Sequence, residues 1–320
     1  MAPSCWAISE AAVGMRIQAV ALAEALGCMP VVKQVAVKEW TRGLPNWPFL
    51  AGLYAVAADS DPIVPPWPDL VVSCGRKAAF VALAIKKASG GRTRIIHIQD
   101  PRGGHGAFDA IVVPEHDGLV GANVVTMLGS VHNLDRAVLD AEAAALGERL
   151  ASLPSPRVAV LIGGANRHYG MDTAWARSFG HELLGLLERG EAGSLLVSVS
   201  RRTPADVVAL LGDVLHGSAT WFWNGVGANP YRGFLGAADA LIATYDSVNM
   251  TCEALATGRP VLSAALPGRG SARFARFFAG LAGQGLVRPF TGRLEWWDNR
   301  RLAETRRVAD LLRVKLALAA

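Results

Sequence analysis

The residues best suited to do chemistry in this 320-residue chain lie in Ala238 to Val261, ADALIATYDSVNMTCEALATGRPV. Ala240 to Thr244 is an apolar run fit for a buried parallel strand, Asp246 and Ser247 offer helix N-caps, and an alanine-rich helix then runs toward Gly258. A helix that starts just past a strand's carboxyl end favours anions, phosphate above all, through its free N–H groups and dipole. Asn249 and Glu253 are four residues apart and share a helix face. A carboxylate one turn into such a helix can accept two hydrogen bonds from a ribose diol; the competing reading of Glu253 is a solvated helix residue.

Three more strand-to-turn passages repeat this arrangement. Val158 to Ile162 runs into Gly163 and Gly164, which allow close backbone approach to a ligand that Asn166 and Arg167 could bind. Leu195 to Val199 runs into Ser200, Arg201 and Arg202, with Thr203 as expected N-cap and Pro204 at the first helical position. Two arginines at a helix N-terminus oppose the dipole, so an anion is the expected compensation. Trp221 to Trp223 leads to Asn224, Gly225 and ANPYRG. If the strands are parallel, all four turns open at one edge. The expected donor site therefore comprises Gly163, Gly164, Asn166, Arg167, Ser200, Arg201, Arg202, Asn224, Tyr231, Asp246, Ser247, Asn249, Met250 and Glu253. In it the base lies near Trp223 to Tyr231, the ribose on Glu253, and the phosphates on Arg201, Ser247 and the glycine turn.

The first half has its own polar strand ends. Cys5 to Ser9 leads to Glu10, then to a turn with Gly14 that opens a helix from Ile17 to Leu26, with Gln18 in its first turn. Ser73 to Lys77 adds Arg76; HIQDPR carries Gln99 and Arg102; VPEHDG carries Glu115, His116 and Asp117. A histidine beside carboxylates at a strand end suits a general base, with His116 first, Glu10 second and Asp117 beside them; a structural histidine is the alternative. Asp59-Ser60-Asp61 has the look of a metal-binding DxD but lacks a strand to aim it, so no metal is expected.

These turns need elements to hold them. Apolar runs alternate with helical patterns along the whole chain, which implies βαβ units, an α/β fold and two Rossmann-like domains in tandem. Prolines in SLPSPR mark the expected linker, giving an N-terminal domain over 1–152 and a nucleotide-binding domain over 153–298. Residues 299–320 form a basic amphipathic helix predicted to dock on the domains, an anionic membrane surface being the alternative partner for its exposed face. In EWTRGLPNWPFLAGLYAV the aromatics Trp40, Trp47 and Phe49 are expected to pack on the core, with membrane or acceptor contact as the alternative.

At 51% hydrophobic and 18% charged the chain is core-rich, which excludes a disordered protein. A net charge of +5 suits acidic ligands without indicating nucleic acid. The four cysteines are widely spaced and expected to be buried and reduced, and no window is apolar enough to span a bilayer. The expected location is cytoplasmic, with inner-membrane contact at most peripheral.

Taken together, GMRIQAVALAEALG, DLVVSCGR, HIQDPR, FDAIVVPEHD, IGGANRHYG, SVSRRTP, NPYRGFLGAADALIATYDSVNMTCEA and TGRPV resemble the mitochondrial-fission Elm family from about residue 6 to about residue 264. The composition, low in Lys and high in Ala, Gly and Arg, fits a bacterial source. The resemblance implies a GT-B-like fold, two Rossmann-like domains facing across a cleft, with the sugar nucleotide held mainly by the second. It implies donor roles for Arg201, Arg202, Ser247, Asn249 and Glu253. It places Gly14, Gln18, Arg76, Gln99, Arg102, His116 and Asp117 on the acceptor side. EAAVGM departs from the glycine-rich turn with Asp or His common in the family. The implied activity is metal-independent sugar transfer from a nucleoside-diphosphate sugar to an envelope glycan or lipid-linked acceptor, with no cofactor beyond that donor. A sugar-nucleotide epimerase, and a membrane-associated interaction protein with a vestigial nucleotide site, are the alternatives.

Overall fold

A computed structural model describes residues 3–41 and 46–318. Most of the apolar runs named above become parallel strands in one of two six-stranded sheets. The first compact unit comprises β1 (Cys5–Ser9), α1 (Val13–Ala25), β2 (Val31–Gln34), β3 (Leu70–Cys74), α2 (Arg76–Ala88), β4 (Arg94–Ile98), β5 (Ala110–Pro114) and β6 (Val124–Met127). Its strand order is β2-β1-β3-β4-β5-β6. Alternate residues bury opposite faces: Ala7, Val72, Ile96 and Val112 pack in one cluster, Ile8, Val71, Ile95 and Ile111 in the other. Both faces are covered, which is why these strands read as unbroken apolar runs.

The second unit holds α3 (Arg136–Ala144), α4 (Gly147–Ala151), β7 (Arg157–Ile162), α5 (Thr173–Glu188), β8 (Ser194–Val199), α6 (Ala205–Val214), β9 (Thr220–Trp223), α7 (Tyr231–Ala237), β10 (Ala240–Thr244), α8 (Val248–Leu255), β11 (Val261–Ala264), α9 (Ala272–Gly283) and β12 (Arg288–Pro289). Its order, β12-β11-β10-β7-β8-β9, is that of the doubly wound nucleotide-binding sheet, with the order reversing between β7 and β10. In the first unit the reversal lies between β1 and β3.

The units divide at Asn133/Leu134 and Leu302/Ala303, not at 152 and 298. Two short helices, α3 and α4, follow the division at Leu134, and α3 packs on α7 of its own unit. A Cβ on Gly236 would stand 2.1 Å from the Leu139 carbonyl oxygen, so that contact is a close backbone approach. SLPSPR is no linker either, since Gly193 N–H donates to Pro156 O at 2.8 Å and ties it to the second sheet.

The C-terminal α10 (Glu304–Leu316) belongs to the first unit, where Val308, Ala309 and Leu312 join the cluster beneath α1. Its basic residues are partly engaged: Arg307 donates to Thr126 O and Arg313 to Ala25 O. The aromatic segment departs from expectation. Its residues 42–45 lie outside the described ones, and Trp40, Trp47 and Phe49 are exposed instead of packed on the core.

Candidate functional site

The polar turns after β7, β8 and β10 meet where the strand order of the second unit reverses, and Asp246 is their centre. It is 3% exposed. Its carboxylate accepts from Gly164 N–H at 3.0 Å, from Arg202 Nη2 at 2.8 Å and from Thr244 Oγ1 at 2.6 Å, while Thr244 Oγ1 also accepts from Gly163 N–H at 2.8 Å. Both glycines are there for proximity. A Cβ on Gly163 would lie 2.1 Å from Asp246 Oδ1, and one on Gly164 2.2 Å from the Arg202 backbone.

This corrects the expected phosphate cradle. The glycine-turn amides are already taken by Thr244 and Asp246, and the anion compensating Arg202 is Asp246 itself. Arg201, by contrast, is exposed and makes no ion pair among the described residues. Thr203 is not the cap of α6, whose N-cap is Pro204. Its hydroxyl accepts from Ser200 N–H at 2.9 Å and donates to the Gly163 carbonyl, lacing the SRRTP loop to the β7 end. Ser200 Oγ also donates to Gly163 O at 2.9 Å. Of the two expected caps of α8, Ser247 alone acts as one, accepting from Met250 N–H at 3.3 Å.

Around this centre, Asn166 Oδ1 accepts the N–H groups of His168 and Tyr169, shaping the loop after Gly164, and Arg167 donates to His168 at 2.8 Å. Asn224 Oδ1 accepts from Val226 N–H. Asn249 is half-buried and Met250 buried on α8. Glu253 is joined by Tyr231, whose hydroxyl donates to its Oε2 at 2.5 Å. Burial raises the Glu253 carboxyl above the usual range, against the Tyr231 hydrogen bond and the Arg232 charge, which lower it. Burial, and then the neighbouring Glu253 charge, push the Tyr231 phenol well up.

In the first unit, Glu10 marks the corresponding reversal. Its Oε1 accepts from Lys77 N–H at 2.9 Å at the start of α2, and Lys77 Nζ stands 3.8 Å from Oε2. Gly75, at φ 100°, leaves room for that carboxylate, since a Cβ there would stand 2.9 Å from Glu10 Oε1. Glu10 borders two cavities, one of about 230 Å³ with Arg76, Lys77 and Thr41, the other of about 360 Å³ with Arg16, Asp59 and Asp61. Asp61 accepts from Gln34 N–H at 2.6 Å. Helix α1 starts at Val13, so Gly14 is helical and Gln18 lies buried in its second turn.

His116, the expected base, is closed off. It is 7% exposed, with Nε2 3.7 Å from Asp117 Oδ1. The HIQDPR loop holds its backbone in the left-handed region at Gln99 (φ 82°) and Arg102 (φ 57°). Asp100 caps that turn, accepting from Arg102 N–H at 2.8 Å and pairing with His105 at 2.9 Å. Burial raises its carboxyl, but these hydrogen bonds and charges outweigh burial and hold it below the usual range. Sequence reasoning missed Asn46, whose amide donates to the Arg76 and Pro101 carbonyls and joins two of these loops. Thr244 was missed as well, and the bracing roles of Thr203, expected as a cap, and of Lys77, in the Ser73 to Lys77 turn, were not foreseen; the signal was polar residues directly at a strand end or in a tight turn.

Two doubly wound parallel sheets define a GT-B-like α/β protein, and solved structures share the fold. The UDP-GlcNAc 2-epimerase of Neisseria meningitidis bound to UDP-GlcNAc superposes with a TM-score of 0.53 at 12% identity, covering 98% of this chain and 99% of its own. Os79 of O. sativa in complex with UDP gives 0.53 at 11% identity, covering 96% and 90%. The chain belongs to the family described as Mitochondrial fission ELM1, whose sequence profile matches residues 13–316. It is 31% identical over 279 residues to the Mitochondrial fission protein ELM1 of Arabidopsis thaliana, covering 78% of this chain and 64% of that protein's length. It is 25% identical over 293 residues to an uncharacterised protein of Rickettsia prowazekii, covering 78% and 80%. No helix of the described residues is long and apolar enough to cross a membrane.

Proposed function

We propose that the chain binds a nucleoside-diphosphate sugar at the β7/β10 reversal and transfers the sugar to a glycan or lipid-linked acceptor. What supports this is that the loop after β8, tied to the turn before α8 by Arg202 and Asp246, carries an exposed cation, Arg201, with no ion pair among the described residues, while α8 is capped by Ser247 and bears a half-buried carboxylate, Glu253, held by Tyr231. Glu253 Oε2 is held by Tyr231, and the carboxylate is the group we assign to the ribose diol. Arg201 and the α8 N-terminus meet the diphosphate and stabilise it as it leaves, a role that needs no metal. Proton removal from the acceptor hydroxyl is assigned to Glu10, because it borders open cavities while His116 is buried. Uridine is the first base to test, since two structural relatives were solved with UDP or UDP-GlcNAc.

The test is a thermal-shift series over UDP, GDP, CDP, ADP and dTDP with their sugars. One diphosphate should raise Tm in the wild type and not in Glu253→Ala. If none raises it at saturating concentration, the site is vestigial and the protein works by interaction alone. Likeness to a UDP-GlcNAc 2-epimerase supports a second reading, epimerisation of the donor. A labelled donor separates the two, giving a labelled acceptor in one case and an epimeric nucleotide sugar in the other.

A further inference from the structure

Tyr231 and Glu253 share a hydrogen bond that neither helix needs for its own backbone. Tyr231, the first residue of α7, donates its O–H to Glu253 Oε2 on α8 at 2.5 Å, across 22 positions of sequence. Among the described residues Oε1 accepts no hydrogen bond, so one oxygen of the carboxylate is engaged and the other is open. A carboxylate drawn out of water in this state favours the arrival of a further donor.

The tyrosine is firmly placed. Asn229 Oδ1 accepts its N–H at 3.0 Å, and Phe234 N–H donates to Pro230 O at 2.9 Å where α7 begins. Behind it, α7 meets α3 with no room for a side chain, since a Cβ on Gly233 would stand 2.8 Å from the Glu142 carbonyl oxygen. The phenol also keeps its proton, because burial and then the Glu253 charge oppose its ionisation, so Tyr231 stays a donor while Glu253 titrates.

We propose that Tyr231 is a positioning residue for the nucleotide: its hydroxyl, fixed by α7, turns Glu253 Oε1 toward the ribose and holds the carboxylate in its charged, accepting form. This rests on the assignment of Glu253 to the ribose diol, and adds what keeps that carboxylate usable. A diol donates to a carboxylate through charge-assisted hydrogen bonds, whereas protonation removes the charge and turns one acceptor into a donor. Desolvation favours protonation; the Tyr231 O–H and the Arg232 charge, both from α7, oppose it. Arg232 is shared, its Nη1 standing 3.7 Å from Glu142 Oε1 on α3, and Cys252 of α8 acts on the phenol. The strands packed against α8, β10 and β11, carry no titratable residue. Tyr231 is thus the group in direct contact that sets the balance.

The experiment is calorimetric titration of the full chain with UDP-GlcNAc from mildly acid to mildly alkaline pH, a range in which its diphosphate diester keeps a constant charge. Wild-type affinity should fall as pH drops and Glu253 takes up its proton. Tyr231→Phe keeps the ring and removes the donor; it should move that fall to higher pH, lowering affinity about tenfold at neutral pH and progressively less in alkali. Glu253→Gln should bind weakly and without pH dependence. Melting curves on the same samples confirm that both variants are folded. A loss in Tyr231→Phe that is equal at every pH, or a wild-type profile that Glu253→Gln leaves unchanged, overturns the role of Tyr231 alone. Absence of binding by the wild type at every pH is a distinct outcome, which overturns the nucleotide reading and this role with it.

Discussion

At the β7/β10 reversal the carboxylate lodged against backbone amides is Asp246, whose side chain is 0% exposed; at the β1/β3 reversal it is Glu10, whose side chain is 23% exposed. Asp246 shares its oxygens with a glycine amide, a threonine and a guanidinium, which uses them up. Glu10 is held by one N–H and a loosely placed ammonium, and it borders two cavities. Similar placement at a strand-order reversal thus yields a brace in one unit and an accessible carboxylate in the other. What separates them is how many donors surround the carboxylate and whether space adjoins it.

The sharpest way to break this contrast is to remove each carboxylate. Glu10→Gln should lower turnover by on the order of 10²–10³ in a sugar-transfer assay with melting nearly unchanged. A large fall in Tm with normal turnover would make Glu10 a brace like its counterpart. Asp246→Ala should do the reverse, costing about 3 kcal/mol in urea unfolding, because it leaves the buried Gly164 amide and Thr244 hydroxyl without an acceptor. Gly163→Ala attacks the same brace sterically and should cost about 2 kcal/mol, measured the same way. Arg201→Ala leaves the brace intact and should weaken UDP binding about tenfold by calorimetry.

The smallest effects test the burial of titratable groups, which has opposite sign in the two units. Glu253 has a raised pKa, so its burial favours the protonated form. That contribution is present below its unfolded value and fades as pH rises through the folded one. Glu253→Gln should therefore gain stability relative to wild type at neutral pH and lose that advantage in acid. His97 in β4 is fully buried, Ser73 lying 2.8 Å from its Nδ1, and burial lowers it to about 3 despite the nearby Asp100 charge. Its contribution is lost as pH falls from the usual histidine range toward 3. His97→Asn should flatten that part of the acid-unfolding curve, and an unchanged curve would show that the ring is not the group being titrated.

Much of the strand framework was legible because a parallel sheet covered on both faces leaves apolar runs such as Leu195 to Val199, and strand ends leave polar turns. Asp246, Ser247 and the two glycines could be found as site residues from their place just after those runs. Their partners could not. Whether an amide is free for phosphate depends on a threonine and an aspartate more than 80 positions away, as for Gly163 and Gly164. The split at Leu134 was hidden for a similar reason, since α3 joins the second unit through close packing on Gly236, far along the chain. Hydrophobicity alone likewise did not separate the exposed Trp40 and Phe49 from core aromatics such as Phe80 and Phe108.

The left-handed backbone at Gln99 and Arg102 carries a further consequence. Each costs about 1–2 kcal/mol relative to a glycine at the same angle, and the fold accepts that cost in a loop braced by Asp100 and by the Asn46 amide on Pro101 O. Replacing either residue by glycine would relieve the conformational penalty, so a more heat-resistant protein is the expected product, read as a rise in Tm. In directed evolution for thermostability, those two positions are where glycine should appear early.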